Sequence, residues 1–519
     1  MQPINTTRAS QSSSESGKLP YGQRLEDVAA ERLADMEKDS PVPAEELQLD
    51  RYGLPLVPQP SRFKDDPLNW PPWLKWAVLI QVSFMAFLGP FNAAVVNPSL
   101  VLLGQAFHEP TNIVVYNTTI AIITGGLASF IWAPLTNVYG RRPITILSQL
   151  CAILGNIGSA RSTTFSALLG ARAVTGIGMA GMMSVGTACV NDMFFMHERG
   201  EKTGVYTIFV TNGGHIAFLG GGFLAQKAGW AWDFYLPAVI TSCSMIFAIF
   251  LFPETLFSRH PQFLSDRKME RTYRDMLFNL KGNLVPQRRL QAQDFLTSFY
   301  MLKYPSISLC FWYYTWSWTF VNILPAISMA KLYTDVYHLK SGIIGLCIGV
   351  PLTIGSLLGE LSAGRLSDYI MSRLAKRRND VRKPEHRLYL TPLGAAFMPA
   401  GMIVFGICVQ KHAMFVVPLV GLAISAFGLQ ITSTCLYSYV SDCYKPQTPE
   451  SAVLMNLGRG LSFVIGFFGL PYAERVGYHW GWTTFALILL VFYIPVLMLM
   501  RYGEMWRKSL GPPEFHQYI

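Results

Sequence analysis

The chain has 519 residues, of which 51% are hydrophobic and 14% are charged, and its formal net charge is +10. Soluble domains carry about 25% charged residues, so the long apolar stretches of this chain indicate a polytopic membrane protein. The basic residues cluster in a few loops, as membrane topology requires, and no nucleic-acid-binding motif accompanies them. The net charge therefore does not indicate a DNA or RNA partner.

Motifs that the sequence lacks exclude several further classes of protein. There is no phosphate loop, no set of paired metal ligands at helical spacing and no nucleophile motif. We therefore expect neither an ATP-driven pump nor an enzyme, and we expect no metal or cofactor. The eight cysteines lie in or beside apolar runs without a C-x-x-C pair, which indicates small buried residues rather than disulfides or metal ligands.

The apolar runs predict an all-α membrane protein with twelve transmembrane helices, because each span needs roughly 20 residues. Residues 1–70 are polar and are predicted to form a disordered cytoplasmic tail. Two six-helix bundles are predicted over 71–256 and 305–505, with a cytoplasmic linker over 257–304 and a cytoplasmic C-terminal tail over 506–519. The predicted spans are Leu74–Val96, Ile113–Leu135, Ile144–Ala160, Ala167–Val190, Gly204–Gln226, Phe234–Pro253, Ile307–Ala330, Ser341–Leu366, Leu388–Val409, Met414–Val440, Ala452–Pro471 and Thr483–Met500.

The distribution of basic residues predicts the orientation of these spans. Arg141, Arg142, Arg199 and Lys202 all fall in loops on one side, together with the basic segment 259–303. The loops on the other side hold only scattered charges. Basic loops stay in the cytoplasm, so both termini are predicted to lie inside the cell.

Two short patterns recur six spans apart in the sequence. Val190–Phe194 follows the fourth span, and Val440–Tyr444 follows the tenth span with a similar pattern. A turn around Asn137 closes the second span, and Gly364–Asp368 is predicted to close the eighth. Chance is the alternative explanation for either pair alone. Together they indicate a parallel repeat that makes up the two halves of the protein.

The turn Ala133–Pro143 carries the strongest family signal. Its sequence resembles the loop between helices 2 and 3 of the major facilitator superfamily, whose pattern is Gly-x-Leu-x-Asp-Arg-x-Gly-Arg-Arg. Four positions match and three differ, the differences being Ala133, Asn137 and Val138. The segment Asp65–Trp70 resembles the lead-in to the first span of fungal drug-transporter-like members. The resemblance extends from about Asp65 to Met505.

This resemblance implies the major facilitator fold, with two pseudo-symmetric six-helix bundles around a substrate cavity near mid-membrane. It also implies alternating access driven by the proton gradient, in the branch near the fungal drug:proton antiporters. The expected partners are a small-molecule substrate, protons and the lipid bilayer, and the protein is expected to act as a monomer. Its expected location is the plasma membrane, although a vacuolar membrane protein would have the same composition.

Two residues of the first half are candidates for proton coupling. Arg172 begins the run Arg172–Gly178, which resembles the superfamily pattern Arg-x-x-x-Gly-x-Gly. The resemblance implies an arginine that faces the cavity and takes part in proton coupling. The alternative is a side chain that snorkels to the outer interface. His215 lies mid-span and titrates near neutrality, so it either carries a proton or is simply hydrogen-bonded between helices.

The second half contributes a carboxylate and an arginine within its spans. A carboxylate in hydrocarbon must be neutral, paired or wet, so Glu360 either serves proton coupling or forms a fixed pair with Arg365 or Arg459. Asn456 and Arg459 resemble an Asn-x-x-Arg pattern of fungal relatives. The depth of Arg459 in its span predicts a carboxylate partner such as Asp442 or Glu360.

The remaining predicted site residues fall into two groups. Asn92, Gln430 and Tyr437 are polar positions within spans and are candidates for the cavity wall. The aromatic seventh span suits either a cavity for a cationic or planar ligand or ordinary helix packing. A cytoplasmic gate, weakened where Asn137 replaces the aspartate of the family, is predicted from residues near the ends of spans two, four, eight and ten: Asn137, Gly140, Arg141, Arg142, Gly364, Asp368, Asp192 and Asp442.

Three functions remain open from the sequence. The leading hypothesis is proton-coupled efflux of a drug, toxin or secondary metabolite. Gly221–Gln226 resembles the end of the antiporter motif, but Ala217 and Phe218 replace its Gly-Pro step, which weakens an export function. The second hypothesis is a proton-coupled importer of an organic cation such as a polyamine, which Glu360 favours. The third is a non-transporting nutrient receptor.

Overall fold

The computed structural model describes residues 56, 58–259, 273–278, 290–377, 383–444, 447–511 and 513. These residues form helices and their connections, without a strand in the described ranges. All the helices that cross the fold belong to the unit Ser61–Ile519. In chain order they are Pro72–Ala94 (α1), Tyr116–Tyr139 (α2), Arg141–Ala160 (α3), Phe165–Met193 (α4), Met196–Ala228 (α5), Trp232–Leu251 (α6), Pro305–Trp318 with Leu324–Tyr337 (α7), Ser341–Arg377 (α8), Thr391–Gln410 (α9), Val417–Cys443 (α10), Thr448–Leu461 with Ile465–Val476 (α11) and Tyr478–Leu510 (α12).

The predicted all-α architecture of twelve transmembrane helices is confirmed. Ten helices of the described part are long and apolar enough to cross a membrane, and the two bent pieces of α11, which meet at 42°, form an eleventh span. The predicted seventh span corresponds to α7, whose two α-helical pieces are joined through the π-helical segment Thr319–Ile323. Helices satisfy every backbone donor and acceptor internally, which hydrocarbon requires. Each predicted span corresponds to one of these helices, whose ends lie up to eleven residues from the predicted ones.

A single residue separates α2 from α3. Gly140 has a φ of 105°, a conformation that only glycine adopts without a side-chain clash, and α3 begins at the next residue. The predicted turn therefore exists and is as tight as a helical hairpin allows. We refer to this end of the molecule as the turn end. The basic loops predict that it faces the cytoplasm.

The two halves meet along two pairs of helices. α2 packs against α11, and α5 packs against α8. At the opposite end from the turn, the Ser341 hydroxyl of α8 donates a hydrogen bond of 3.0 Å to the Gly222 carbonyl of α5. In the stretch before α7, Phe299 stacks on Phe130 of α2 with ring centroids 4.2 Å apart. The halves are thus joined by contacts at both ends of the bundle.

The pattern Gly364–Asp368 lies at the end of the eighth span but inside its helix. The apolar span of α8 is Ser341–Gly364, as predicted, while the helix continues without a break to Arg377. The leucines and alanines around Gly364 sustain the helix beyond the span. The predicted domain boundaries stay predictions, since much of the N-terminal tail, of the linker and of the C-terminal tail lies outside the described residues.

Candidate functional site

A cavity of about 100 Å³ lies between the two halves. Helices α1, α2, α4 and α5 line it from the first half, and α7 and α11 line it from the second. Most of the wall is apolar. Polar side chains reach it from both halves, and these are Asn97, Thr118, Ser129, Thr211, His215, Asn322, Asn456 and Arg459. Of the residues predicted for the cavity, His215, Asn456 and Arg459 lie in its wall.

His215 of α5 connects the two halves at the cavity wall. Its imidazole is 3% exposed, and Nδ1 lies 3.5 Å from the Ser356 hydroxyl of α8. The same hydroxyl donates a hydrogen bond of 3.0 Å to Oδ1 of Asn212 on α5. The ring also lies beside Asn322 of α7. His215 therefore lies between its own helix and two helices of the opposite half, as the alternative of a histidine hydrogen-bonded between helices expected.

Asn322 reaches the cavity from the irregular part of α7. In the π-helical segment Thr319–Ile323, the Leu324 N–H donates to the Thr319 carbonyl. A π segment inserts an extra residue into a helix and so redirects the side chains that it carries, and such segments are frequent at functional sites. Trp318, immediately before this segment, lines the cavity as well. The sequence analysis did not select Asn322, although an amide inside an apolar span was a usable signal.

Arg459 of α11 presents a guanidinium group to the cavity. Its Nε donates a hydrogen bond of 2.6 Å to the Tyr314 hydroxyl, and the group lies 4.5 Å from the centroid of the Trp318 ring. The prediction of a carboxylate partner is wrong, because Asp442 pairs with Arg387 and Glu360 accepts hydrogen bonds from other groups. The aromatic groups of α7 take the place that a carboxylate was expected to fill.

Arg172 lies away from the cavity wall and is fully buried. Its guanidinium donates to three backbone carbonyls, those of Asn92 at 3.0 Å, Ala93 at 3.1 Å and Asn117 at 3.3 Å. It also lies over the Phe234 ring. Asn92 and Ala93 are in the last turn of α1, where helix carbonyls lack partners within the helix. Arg172 therefore neither snorkels to the interface nor faces the cavity, and it caps the end of α1.

The side chain of Asn92 is buried in a polar cluster within the first half. Its amide contacts the Leu88 carbonyl and, at 3.4 Å, the Thr241 hydroxyl of α6, while Asn156 of α3 donates to its carbonyl oxygen. Asn92 is absent from the cavity wall. The cluster ties α1 to α3 and α6, which gives Asn92 a packing contact in place of the predicted position facing substrate.

Glu360 of α8 is satisfied by neutral donors. Its Oε2 accepts hydrogen bonds of 2.6 Å from both the Gln430 amide and the Thr434 hydroxyl of α10. Neither Glu360 nor Gln430 belongs to the cavity wall. Gly204 of α5 faces the same carboxylate, since a Cβ added there would lie 3.9 Å from Oε1. The fixed pair with Arg459 is not formed, and the side chain of Arg365 lies outside the described part of the chain.

The aromatic side chains of α7 mostly serve packing. Tyr314 is fully buried and meets Tyr437 of α10 edge-on with ring centroids 5.4 Å apart. Trp312 is 48% exposed on the outer surface of the bundle. Trp318 lines the cavity. The cavity interpretation of this span therefore applies to Trp318 and the packing interpretation to Tyr314. Tyr437, predicted for the cavity, packs against Tyr314 and lies outside the cavity wall.

The turn end of the first half is held by two carboxylates. Arg141 Nε forms an ion pair of 3.1 Å with Asp192 of α4, and its Nη1 contacts Asn137. Glu254, just beyond α6, accepts the backbone N–H groups of Arg141 at 2.8 Å and Arg142 at 3.1 Å, and so caps the start of α3. Burial raises the pKa of the Glu254 carboxyl, against the lowering effect of its backbone donors and Arg141. Asn137 thus accepts a hydrogen bond from Arg141 as a neutral group, while Asp192 supplies the negative charge that pairs with Arg141.

The corresponding end of the second half uses different contacts. Asp442 of α10 pairs with Arg387, in the segment before α9. Glu385 of the same segment pairs with Arg507 of α12 at 3.2 Å. Gly364 is exposed on α8 with open space around it, and the side chain of Asp368 lies outside the described part. The predicted gate residues therefore come together in the first half, and of those in the second half Asp442 is shown with a partner.

The sequence of the chain matches the model of one known family. The model of the Major Facilitator Superfamily matches residues 82–467. The chain belongs to the major facilitator superfamily. It is therefore a multi-pass membrane protein of a transporter family, as its sequence predicted.

Curated relatives of this superfamily member include fungal transporters. The chain is 26% identical to the efflux pump radE of Floropilus chiversii over 85% of its own length and 83% of the relative's. It is 27% identical to the MFS transporter cpaT of Aspergillus oryzae, over 85% of its length and 90% of the relative's. An uncharacterized transporter of Schizosaccharomyces pombe is 26% identical over 86% of this chain and 91% of that relative.

Solved structures support the fold. The human organic anion transporter MFSD10 superposes with a TM-score of 0.55 at 16% identity, covering 82% of this chain and all of that chain. The xylose transporter XylE from E. coli, in a partially occluded inward-open conformation, superposes with a TM-score of 0.57 at 14% identity, covering 81% of this chain and 97% of that chain. At these identities the likeness concerns the architecture alone.

Proposed function

We propose that this superfamily member is a proton-coupled exporter of a small organic molecule that works by alternating access. The observation that carries the proposal is the position of His215, a titratable group in the cavity wall that contacts Ser356 and Asn322 of the opposite half. A group so placed links proton binding to the contact between the halves. The name of the relative radE, an efflux pump, supports export.

The chemistry of imidazole explains how a proton would alter this contact. A neutral ring has one donor and one acceptor nitrogen, whereas a protonated ring has two donors. Protonation of His215 therefore changes what its Nδ1 and Nε2 offer to α7 and α8. It also adds a positive charge to a wall that already carries Arg459. Both effects weaken the contact between the halves and favour opening of the cavity.

A second proton site is available at Glu360. This carboxylate accepts two hydrogen bonds from neutral donors and faces α5 across the interface at Gly204. Its protonated form would have to donate one hydrogen bond in place of accepting it. Glu360 therefore responds to protons without contacting the substrate, because it lies outside the cavity wall.

An organic-cation importer would need an acidic group where its substrate lies. Within the described part of the chain, the cavity wall contains no carboxylate that would compensate a cation. Glu360 favoured this function from the sequence, but it is separated from the cavity. We therefore rank export first.

The experiment is substrate-dependent proton movement in liposomes. The purified protein is reconstituted with a pH-sensitive dye inside, a pH gradient is imposed, and hydrophobic drugs, aromatic carboxylates and polyamines are added in turn. Proton flux against the movement of an added compound is expected, and it should be lost in His215→Asn. His412→Asn, in an exposed loop, is the matched control. Flux in the same direction as a compound would replace export by import, and an unchanged His215→Asn protein would remove this residue from coupling.

We further propose that the protein acts as a monomer in the plasma membrane. Fluorescence of a tagged chain at the cell rim is the expected result, and fluorescence at the vacuole would contradict it. Light scattering of the purified protein gives the oligomeric state directly.

A further inference from the structure

We infer that the cavity binds an organic anion, with Arg459 as the group that pairs with its carboxylate or sulfonate. The inference rests on the proposed transport function and specifies its substrate class. It follows from the charge of the cavity wall, from the surroundings of one guanidinium and from the apolar body of the cavity.

The wall carries a positive charge without a negative one to balance it. Arg459 is an always-charged group, and the other polar side chains of the wall are neutral amides, hydroxyls and the imidazole of His215. In the described ranges, no aspartate or glutamate reaches the cavity. A charge in the membrane interior is costly unless it is compensated, and such residues mark substrate or ion sites.

The immediate neighbours of Arg459 hold the guanidinium in place without neutralising it. Tyr314 accepts one hydrogen bond at Nε, and the Trp318 ring lies against the planar group at 4.5 Å. Among the described residues, the two Nη groups have no hydrogen-bond acceptor. These are the groups that a carboxylate engages in a two-pronged pair. The site is therefore preorganised for an anion and incomplete without one.

Arg172 provides an internal comparison. It is also a buried arginine, but three backbone carbonyls accept its hydrogen bonds and it lies outside the cavity wall. Its donors are used in holding α1. Arg459 differs because its donors adjoin open space, and this difference assigns ligand binding to Arg459 alone.

The rest of the wall suits an apolar or aromatic body attached to the anionic group. Met179, Phe218, Ile323 and Trp318 contribute apolar surface, and Asn322 and Asn456 offer amides to further polar substituents. A membrane potential that is negative inside drives an anion outward, so an anionic substrate agrees with export. Exchange of an outgoing anion for an incoming proton moves both charges in the direction that this potential favours.

The test is equilibrium binding to the purified full-length protein in detergent, without any gradient. The probes are 1-naphthoate, the neutral 1-naphthamide and the cationic 1-naphthylmethylammonium, which share one aromatic body. Naphthoate should bind the wild-type protein roughly tenfold or more tightly than naphthamide, as expected for hydrogen bonds to a charged group. Equal or tighter binding of the amide or the ammonium compound, or no binding by naphthoate, would overturn the inference.

Variants of Arg459 test whether its guanidinium causes the preference for naphthoate. Arg459→Gln should remove the preference for naphthoate while naphthamide still binds, which shows that the cavity remains folded. Arg459→Lys keeps the charge and should retain part of the preference. Arg161→Gln alters an exposed arginine and is the matched control. If Arg459→Gln keeps the full preference, another group binds the anion and the inference fails.

The same experiment separates this inference from the proposed function. Binding is measured without proton movement, so an anion preference can hold while proton coupling in liposomes fails, and the reverse can also occur. An anion preference without proton flux would refute proton coupling alone. Proton flux without an anion preference would refute the anionic substrate alone.

Discussion

Gly126 of α2 and Gly460 of α11 bring the backbones of the two halves into contact. A Cβ added to Gly126 would lie 2.7 Å from the Gly460 Cα, and one added to Gly460 would lie 2.6 Å from the Gly126 Cα. Both glycines line the cavity. Small residues allow helices to approach this closely in a membrane, so the two glycines set the width of the cavity at this crossing.

Gly126→Ala should impair transport by forcing α2 and α11 apart. The nearest atoms are backbone, which cannot rotate away, and overpacking of this kind costs about 1–3 kcal/mol. If this cost falls on the conformation in which α2 and α11 touch, transport in liposomes should decrease by roughly 5- to 150-fold. Gly170→Ala, where an added Cβ meets nothing within 4 Å, is the control and should transport normally. Equal activity of both variants would show that the crossing tolerates separation.

Arg172→Met should reduce the stability of the folded protein, because it leaves the carbonyls of Asn92, Ala93 and Asn117 without a donor. Loss of hydrogen bonds to a buried charged group costs about 3 kcal/mol. Thermal unfolding in detergent measures the effect, and Arg172→Lys should recover part of it. If Arg172→Met unfolds like the wild type but loses proton-driven transport, the coupling function implied by the family motif is correct and the structural one is secondary.

Glu360→Gln should preserve folding and abolish proton-driven transport. Glutamine has nearly the shape of glutamate and can still accept the hydrogen bonds of Gln430 and Thr434, but it cannot exchange a proton. The measurement is dye-reported proton flux at several pH values, with Glu201→Gln at an exposed position as the control. Undiminished, pH-dependent flux in Glu360→Gln would assign proton movement to another group, of which His215 is the first.

Asp66→Asn should destabilise the protein at neutral pH by about 3 kcal/mol, as for other buried ion pairs that lose one partner. Asp66 is fully buried and pairs with Arg259 at 2.7 Å. Burial tends to raise the pKa of Asp66, but Arg259 and the hydrogen bonds of Ser61 and Leu68 outweigh it, so the pKa is lowered from 3.8. A lowered pKa stabilises the fold above the unfolded value, and this stabilisation disappears as the pH falls through the folded value.

Unfolding midpoints between pH 7 and acid conditions check this prediction. The wild-type protein should be more stable than Asp66→Asn at pH 7, and the two curves should converge as the pH decreases below about 4. A constant difference at every pH would show that the contact acts through packing and not through charge. Asp335→Asn, at an exposed carboxylate, is the control.

The sequence predicted best those features that depend on residues adjacent in the chain. Apolar runs of spanning length predicted the twelve helices, and a glycine followed by two arginines predicted the turn at Gly140. The partners of Arg459 and Arg172 could not be predicted, because they depend on how helices rotate about their axes. Those rotations are set by packing between distant segments, as when Arg172 meets carbonyls of α1 some 80 residues earlier in the chain.

Asn322 shows a second limit of sequence reasoning. A regular helix assigns each residue to a face by its spacing, and that assignment fails across the π-helical segment Thr319–Ile323. The hydrogen-bond shift that forms this segment leaves no distinctive residue pattern. His215 was selected because its chemistry is rare within a span, whereas its contact with Ser356 became visible only when both halves were placed together.

The carboxylates at the turn end hold the two halves together internally in different ways. In the first half, Glu254 follows the last helix and holds the start of the third. In the second half, Glu385 precedes the equivalent of that third helix and holds Arg507 on the last. The two carboxylates therefore do not occupy corresponding positions. The contact between the third and last helices rests on backbone N–H groups in the first half and on an arginine side chain in the second, so loss of either carboxylate would loosen one half alone.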